Sequence, residues 1–263
     1  TARVELTGKK RGKSIVEGGV TAAKRSVGLL GGMMTYAVLH GYRQEGLNPA
    51  HGIGMPADKR RQFRLEREGW RQLAGMINAA ETKGECWQAI GIARLLALTG
   101  CRLNEIASLK WSEVDSAGRC LKFEEGRVKS GQLRPIGQTA LDLLREIKES
   151  PRPRQHASAY VFPGIGGDKP YQGFAKAWKR MRAAYSPHHL RHAFASAAED
   201  DCELHESTVG VLLGHSKGGN VTRGYIQKAD ATLLAAADKV SDFIARAMKG
   251  ETTVIPFEAR KTG

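Results

Sequence analysis

The chain lacks the features that would place it in a membrane or outside the cell. None of its 263 residues belongs to an apolar run approaching the length of about 18 residues that a membrane span needs. The start of the chain has no signal-peptide pattern, and the cysteines (Cys86, Cys101, Cys120 and Cys202) are widely spaced with no Cys-x-x-Cys pair. These absences exclude a membrane protein, argue against a disulfide scaffold and a structural zinc site, and predict a protein of the reducing cytoplasm.

Acidic residues are few relative to basic ones. The chain has 41 Lys and Arg against 27 Asp and Glu, which gives a net charge of +14. Residues 1–71 alone hold 14 of the basic and 6 of the acidic residues, so more than half of the surplus lies in the first part of the chain. Such a surplus favours a polyanionic partner. Nucleic acid is the first hypothesis, and a solvated basic surface is the alternative.

Apolar residues recur at helical spacing along most of the chain, with two short exceptions. We predict helices over residues 20–40, 65–82, 87–98, 103–109, 138–149, 171–184, 188–199, 205–213 and 230–249, and short strands over 119–123 and 133–136. The expected fold class is therefore mainly α with a small antiparallel β-sheet.

Breaks in these patterns divide the chain. Two prolines and two glycines between residues 48 and 56, followed by a basic run, predict an interdomain linker over 48–63. Residues 8–13 form a basic stretch that we expect to be flexible, and the missing initial methionine leads us to expect a fragment or a processed product. The apolar stripe of 230–249 is expected either to pack on its own domain or to dock on a neighbouring protomer.

Residues that can carry chemistry are concentrated in four short stretches and one tyrosine. Residues 99–106 read TGCRLNEI, 129–131 read KSG, 188–192 read HHLRH and 213–215 read LGH, and Tyr225 lies ten residues beyond His215. In order and spacing these pieces resemble the catalytic boxes of the tyrosine recombinase (lambda-integrase-like) family. Because several independent spacings agree, the resemblance is specific.

The resemblance implies a role for each box. Arg102 and Arg191 hold the phosphate, His188 and His215 are the histidines of the site, Lys129 is the general acid for the leaving 5′ oxygen, and Tyr225 is the nucleophile. The implied function is that of a site-specific DNA recombinase, an integrase of a phage or mobile element, which acts through a covalent 3′-phosphotyrosine. A type IB topoisomerase and a DNA-binding regulator without catalysis are the alternatives.

The residue types themselves suit chemistry at a phosphodiester. Planar guanidinium groups donate paired hydrogen bonds to phosphate oxygens and stay charged. A phenol has an ordinary pKa of about 10, so a tyrosine nucleophile needs nearby positive charge and a proton acceptor. An imidazole titrates near neutrality and can be that acceptor or a donor to phosphate. No cofactor is expected.

Several neighbouring residues leave alternatives open. Lys110 and Lys122 compete with Lys129 for the lysine role. Glu105, three residues after Arg102, is expected either to hold that guanidinium or to form an ordinary surface pair. His188 and His192 have the spacing of a metal-binding helix, but no Glu accompanies them, so no metal is expected and His189 and His192 are expected to have structural roles.

The resemblance also implies how the chain meets DNA. Residues 1–47 are expected to be part of a helical core-binding domain, 48–63 the linker, 64–250 the catalytic domain and 251–263 a tail, together forming a clamp on double-stranded DNA in the nucleoid. The working assembly is expected to be a homotetramer, and Tyr225 is expected to act in its own subunit or in a neighbour's. The basic residues expected to contact DNA phosphates are Lys9, Lys10, Arg11, Lys13, Lys24, Arg25, Lys59, Arg60 and Arg61.

Overall fold

Two compact units make up the chain, residues 1–61 and residues 62–263. The computed structural model describes residues 4–6, 14–16, 19–56, 63–124, 126, 133–150, 158–181, 185–215 and 230–251. In these ranges no helix combines the length and apolar character that crossing a membrane requires. The expected fold class is confirmed, because helices predominate and a three-stranded antiparallel sheet interrupts them.

The first unit begins with a pair of short strands that the sequence pattern does not predict. Strands β1 (Val4–Leu6) and β2 (Ser14–Val16) are antiparallel, with Val4 opposite Val16. Three residues are too few for an alternation of apolar and polar positions to be recognised. Residues 8–13, which were expected to be flexible, lie outside the described residues.

A single long helix forms the rest of the secondary structure described in the first unit. Helix α1 (Val20–Leu39) confirms the prediction over residues 20–40. The chain then turns back, and the Asn48 side-chain amide donates a hydrogen bond to the Gly31 carbonyl oxygen at 3.0 Å. None of the α1 residues is buried. The large apolar side chains of this helix that are exposed over more than half of their surface are Val20, Leu29, Met33, Tyr36 and Leu39.

The second unit contains most of the helices and the three-stranded sheet. Its elements are α2 (Arg67–Thr82), α3 (Trp87–Thr99), α4 (Leu103–Ala107), a 3-10 turn (Trp111–Glu113), β3 (Val114–Asp115), β4 (Cys120–Lys122), β5 (Leu133–Pro135), α5 (Gln138–Glu149), α6 (Phe174–Arg180), α7 (Pro187–Ser196), a π-helical turn (Ala197–Asp201), α8 (Glu206–Leu213) and α9 (Ala231–Lys249).

Helix α3 lies at the centre of the core. Ten of its 13 residues are buried, as its nearly continuous apolar sequence predicts. Helices α2, α5, α7 and α9 pack around it, each with one apolar face. In α5, for example, the buried residues Ala140, Leu141, Leu144 and Ile147 recur at helical spacing. The site described below lies where α3 ends, so its backbone rests on this core.

The sheet has the strand order β3-β4-β5 and is antiparallel throughout. Strands β4 and β5 confirm the two predicted strands, and Arg134 on β5 lies opposite Leu121 on β4. Strand β3 was not predicted because it has only two residues. Helix α6 is shorter than the predicted 171–184, since the Tyr171 N–H donates to the Phe162 carbonyl oxygen at 2.8 Å in the preceding turn.

Helix α9 packs on its own unit. It is capped by Asp230, whose carboxylate accepts a hydrogen bond from the Leu233 N–H at 2.8 Å, and its apolar stripe faces α2, α3 and α5. On the polar side, Asp238 accepts a hydrogen bond from the Gln138 N–H at 2.7 Å, at the start of α5. The stripe is therefore covered within the chain, and the alternative that it docks on a neighbouring protomer is wrong.

Candidate active site

A left-handed turn between α3 and α4 carries Arg102. Gly100 ends α3 with a φ of 61°, a conformation that favours glycine. A β-carbon at Gly100 would lie 2.7 Å from the ring of Phe194 on α7 and 2.8 Å from Leu213 at the end of α8. Three of the sequence boxes therefore meet at this turn. Phe194 and Leu213 lie so close to its backbone that only a glycine fits at residue 100.

Glu105 holds Arg102 by its backbone and by its side chain. One carboxylate oxygen accepts a hydrogen bond from the Arg102 backbone N–H at 2.7 Å, and the other accepts one from the Arg102 guanidinium at 3.0 Å. The Glu105 side chain is 4% exposed and that of Arg102 is 35% exposed. Of the two roles expected for Glu105, holding the guanidinium is confirmed and the ordinary surface pair is wrong.

The Arg191 guanidinium connects the box of residues 99–106 with the box of residues 213–215. Its Nη1 donates a hydrogen bond to the Gly100 carbonyl oxygen at 3.0 Å, and its Nη2 donates one to the Leu213 carbonyl oxygen at 2.8 Å. The residue is only 5% exposed. Its guanidinium thus fixes the backbone on both sides of the site, and its remaining N–H donors are those it can offer to a phosphate.

The first turn of α7 presents His188 at the surface. The ring of His188 meets that of His192 edge-on, with centroids 4.9 Å apart. The neighbouring His189 has the structural role expected for it: its Nδ1 accepts a hydrogen bond from the Ser186 N–H at 3.1 Å, which caps the helix. The His189 ring also stacks on Phe63, with centroids 4.5 Å apart.

A second left-handed turn presents His215. Helix α8 ends at Leu213, Gly214 has a φ of 64°, and the His215 N–H donates to the Gly210 carbonyl oxygen at 2.7 Å. His215 is exposed. A β-carbon at Gly214 would lie 1.9 Å from the guanidinium carbon of Arg134, so no larger residue fits without displacing that group.

Arg134 is a residue of this site that the sequence reasoning missed. It lies on β5 and is 0% exposed. Its Nη2 donates to the Glu105 carboxylate at 3.0 Å, and its Nη1 donates to the Leu133 carbonyl oxygen at 3.1 Å. The available signal was an arginine between apolar residues of a short predicted strand, where a solvated position was the simpler interpretation.

The electrostatic surroundings lower the pKa of the exposed histidines. Partial desolvation is the largest cause for both His188 and His215. The positive charges of Arg191 and Arg102 lower both pKa values further, so the imidazoles are neutral at pH 7 and able to accept a proton. Desolvation and the nearby Arg102 lower the pKa of Arg191 to about 10, which leaves its guanidinium charged.

In the described part of the chain, three guanidinium groups and one carboxylate lie close together at the buried end of the site. Burial alone would raise the pKa of Glu105, but the hydrogen bond from the Arg102 N–H and the Arg134 charge outweigh it, so the pKa lies below its usual range. The ionised Glu105 carboxylate thus pairs with the guanidinium groups of Arg102 and Arg134 and lies near the charge of Arg191. Among the residues that the structure describes, no three His, Cys, Asp or Glu side chains are grouped to hold a metal ion. The arrangement suits an anion.

Several predicted residues lie outside the described ranges. These are the catalytic candidates Lys129 and Tyr225 and the DNA-binding candidates Lys9, Lys10, Arg11, Lys13, Lys59, Arg60 and Arg61. Two other DNA-binding candidates, Lys24 and Arg25, lie in the first turns of α1, where Arg25 is exposed and Lys24 is half-buried.

The two lysines considered as competitors of Lys129 are both engaged with carboxylates. The Nζ of Lys110 lies 2.9 Å from a carboxylate oxygen of Glu124. The Nζ of Lys122 lies 2.6 Å from a carboxylate oxygen of Asp115 across the sheet. Each ammonium group is thus held in an ion pair beside the strands.

Known proteins resemble this chain in sequence and in fold. The phage integrase family model matches residues 69–232. Tyrosine recombinase XerD of Rhizobium meliloti (strain 1021) is 36% identical over 135 residues, which cover 48% of this chain and 42% of that protein. The chain therefore spans about two fifths of the length of that curated relative.

Two solved structures share the fold. The Tn1549 transposon integrase (residues 82–397) in complex with circular intermediate DNA aligns with a TM-score of 0.54 and 12% identity, over 75% of this chain and 72% of that one. A lambda integrase tetramer bound to a Holliday junction aligns with a TM-score of 0.53 and 17% identity, over 79% and 62%. With the family match extending over more than half of its length, this chain belongs to the phage integrase family of tyrosine recombinases.

Proposed function

We propose that this chain cleaves and rejoins DNA at a specific site through a covalent 3′-phosphotyrosine, as a site-specific recombinase of the integrase type. The observation that carries the proposal is the pair of hydrogen bonds from Arg191 to the Gly100 and Leu213 carbonyl oxygens, at 3.0 and 2.8 Å. These bonds hold the Arg102 turn and the His215 turn on either side of Arg191, so donors are arranged in advance for one phosphate.

Arg102 and Arg191 bind the scissile phosphate in this proposal. The transition state gains negative charge on the non-bridging oxygens, and a preorganised donor aimed at such charge contributes a factor of about 10² to 10³ in rate. His215, exposed beside the Arg102 turn, donates a hydrogen bond to a non-bridging oxygen. The net positive charge around Glu105 favours the same anion.

Tyr225 is the nucleophile. Its phenol oxygen forms a bond to phosphorus, and the bond from phosphorus to the 5′ oxygen breaks, which leaves the DNA 3′ end esterified to the protein. His188 takes the phenol proton, and Lys129 gives a proton to the 5′ oxygen. Attack by a new 5′ hydroxyl reverses the step, so the bond energy is conserved and no cofactor is needed.

We further propose double-stranded DNA as the partner and a homotetramer as the working assembly, as in the lambda integrase complex with a Holliday junction. Residues 1–47 belong to a DNA-binding domain, 48–63 to a linker, 64–250 to the catalytic domain and 251–263 to a tail. The basic residues named for the first unit and the linker contact phosphates, which gives a steep salt dependence. The protein works in the cytoplasm, on the nucleoid.

A covalent capture experiment tests the proposal. The chain is incubated with a pool of duplexes that carry a randomised central stretch and a nick in one strand. Cleavage near the nick releases a short oligonucleotide, so rejoining fails and the protein stays attached. Adducts that survive detergent are recovered, their DNA is amplified from the intact strand, and repeated rounds yield a selected duplex for all later measurements.

The variants make the test specific. We expect an adduct with the wild-type chain and with the matched control Tyr36→Phe, and none with Tyr225→Phe. Lys129→Ala should form adduct slowly on the selected duplex and normally when sulfur replaces the bridging 5′ oxygen, because a thiolate leaves without protonation. An adduct that persists in Tyr225→Phe, or no adduct after selection with the wild type, contradicts the proposal.

A further inference from the structure

The most deeply buried charge of the second unit's site is that of Arg134. A buried charge is costly unless it is paired and hydrogen-bonded. Arg134 meets this condition through the Glu105 carboxylate at 3.0 Å and the Leu133 carbonyl oxygen at 3.1 Å. Its guanidinium carbon also lies 5.6 Å from the centre of the Phe123 ring. A group held on so many sides is part of the framework of the site.

Two elements of the proposed phosphate site rest on this guanidinium. The first is Glu105, whose carboxylate oxygen bonds to Arg134 and Arg102 at 3.0 Å each. The second is the turn at Gly214, where a β-carbon would lie 1.9 Å from both the Cζ and the Nη1 of Arg134. The side chain thus lies between the carboxylate that holds Arg102 and the backbone that presents His215.

We infer that Arg134 is a positioning residue for phosphate chemistry: it holds the Glu105 carboxylate against Arg102 and supports the Gly214 turn that presents His215. The inference rests on the proposed function for the reaction it serves. Arg134 does not touch the phosphate, because it has no exposed surface. It acts by fixing the geometry of two groups that do.

The shape of the guanidinium explains why arginine occupies this position. Its planar fork donates in two directions, to a carboxylate and to a carbonyl oxygen, while its face lies against the Gly214 backbone. A lysine keeps the charge but offers a single compact ammonium group. A methionine of similar length keeps the packing and loses both the charge and the donors.

The first experiment compares the rate of adduct formation at saturating selected duplex with the dissociation constant for the same duplex. Arg134→Met should slow adduct formation by about 100-fold, the order expected for a displacement of about 1 Å at a reacting centre, and should leave the dissociation constant nearly unchanged. Arg134→Lys should recover part of the loss. The matched control is Arg94→Met, which removes an arginine of α3 paired with Glu81 of α2 at 2.6 Å and should keep the wild-type rate.

A double-mutant cycle tests whether Arg134 acts through Glu105. If it does, Arg134→Met should slow the Glu105→Gln protein much less than it slows the wild type, since the contact is already weakened. Independent effects that multiply in the double variant would overturn this part of the inference. A thermal unfolding curve for each variant identifies those that are folded at the assay temperature.

Hydrogen exchange supplies a measurement that does not depend on catalysis. The Gly214 N–H donates to the Val211 carbonyl oxygen at 2.9 Å, and the His215 N–H donates to that of Gly210 at 2.7 Å. Both amides should exchange faster in Arg134→Met than in Arg94→Met. Unchanged exchange would overturn the inference whether or not the chain forms an adduct, whereas a missing wild-type adduct with faster exchange would contradict only the proposed function.

Discussion

Two guanidinium groups and the carboxylate of the site are buried, whereas the imidazoles are exposed and the Arg102 side chain is 35% exposed. Arg134, Glu105 and Arg191 are 0%, 4% and 5% exposed, and each bonds to another of the site's charges or to a backbone carbonyl oxygen. His188 and His215 lie at the surface. The difference teaches that packing holds the buried charges of this site in place, while the groups that we propose for proton transfer lie at the surface.

Arg191 and Arg102 give the largest test of this contrast. Arg191→Met and Arg102→Met should each reduce adduct formation by at least about 10²-fold, because each removes a hydrogen-bond donor that we propose for the phosphate. Only Arg191→Met should also destabilise the fold, by about 2–4 kcal/mol, since it leaves the buried Gly100 and Leu213 carbonyl oxygens without this donor. Urea unfolding measures the difference. Equal stability of the two variants would contradict the claim that the buried Arg191 guanidinium holds the fold of the site together.

Glu105→Gln tests the carboxylate of the buried group. The substitution replaces the charged carboxylate of the Arg134–Glu105 pair by a neutral amide, so the free energy of unfolding at neutral pH should fall by about 3 kcal/mol. The pKa of Glu105 is lower in the folded chain than in the unfolded chain. Its stabilising effect is therefore complete above the unfolded value of about 4.3 and is lost as the pH falls through the folded value.

Unfolding at a series of pH values checks this prediction. The stability difference between the wild type and Glu105→Gln should be constant near neutrality and should shrink in acid. Glu146→Gln, at an exposed position of α5, is a matched control that should show no such loss. A difference that stays constant in acid would mean that the carboxylate charge contributes nothing.

The pKa values of the exposed imidazoles should respond to nearby positive charges as well as to partial burial. In the DNA-free protein, NMR titration should give His188 and His215 pKa values below the ordinary value of about 6.5. Because the folded values are depressed, the unfolded chain binds more protons, and these groups cost stability as the pH falls below about 6.5. Arg102→Met removes a positive charge that faces both rings and should raise both pKa values. Unchanged values would contradict the proximity of the boxes.

The smallest expected effect is at Phe63. Its ring stacks on His189, which caps α7 beside His188. Phe63→Leu should lower the free energy of unfolding by about 1 kcal/mol and slow adduct formation only a few-fold, whereas Phe63→Tyr keeps the stack and should match the wild type. A large loss of rate in Phe63→Leu would mean that the α7 cap positions the site, as the buried Arg134, Glu105 and Arg191 do.

The sequence was most informative where local pattern and motif coincide. Helices α1, α3, α5 and α9 follow from apolar spacing, and the boxes around Arg102, Arg191 and His215 were recognised before their contacts were known. Contacts between distant segments were harder to foresee. Arg134 and Glu105 are 29 residues apart, and no local periodicity shows that a strand arginine will reach a helix carboxylate.

The same limit explains the remaining differences. Strands β1, β2 and β3 are too short to be recognised by alternation of apolar and polar residues. They are strands because they pair with a neighbouring strand. The sequence allowed the apolar stripe of α9 to pack on either of two surfaces of the same chemistry. One is in its own domain and the other is on a neighbouring protomer. Only the position of α2 and α5 in the folded unit decides between them.

The most direct test of the central claim is mass spectrometry of the adduct formed on the selected duplex. Trypsin cleaves after Arg223 and Lys228, so Tyr225 lies in the short peptide of residues 224–228. After nuclease digestion we expect this peptide to carry a nucleotide that is linked through its 3′ phosphate to Tyr225. A phosphonucleotide localised to any other residue would contradict the claim that the arginines and histidines of this site serve Tyr225.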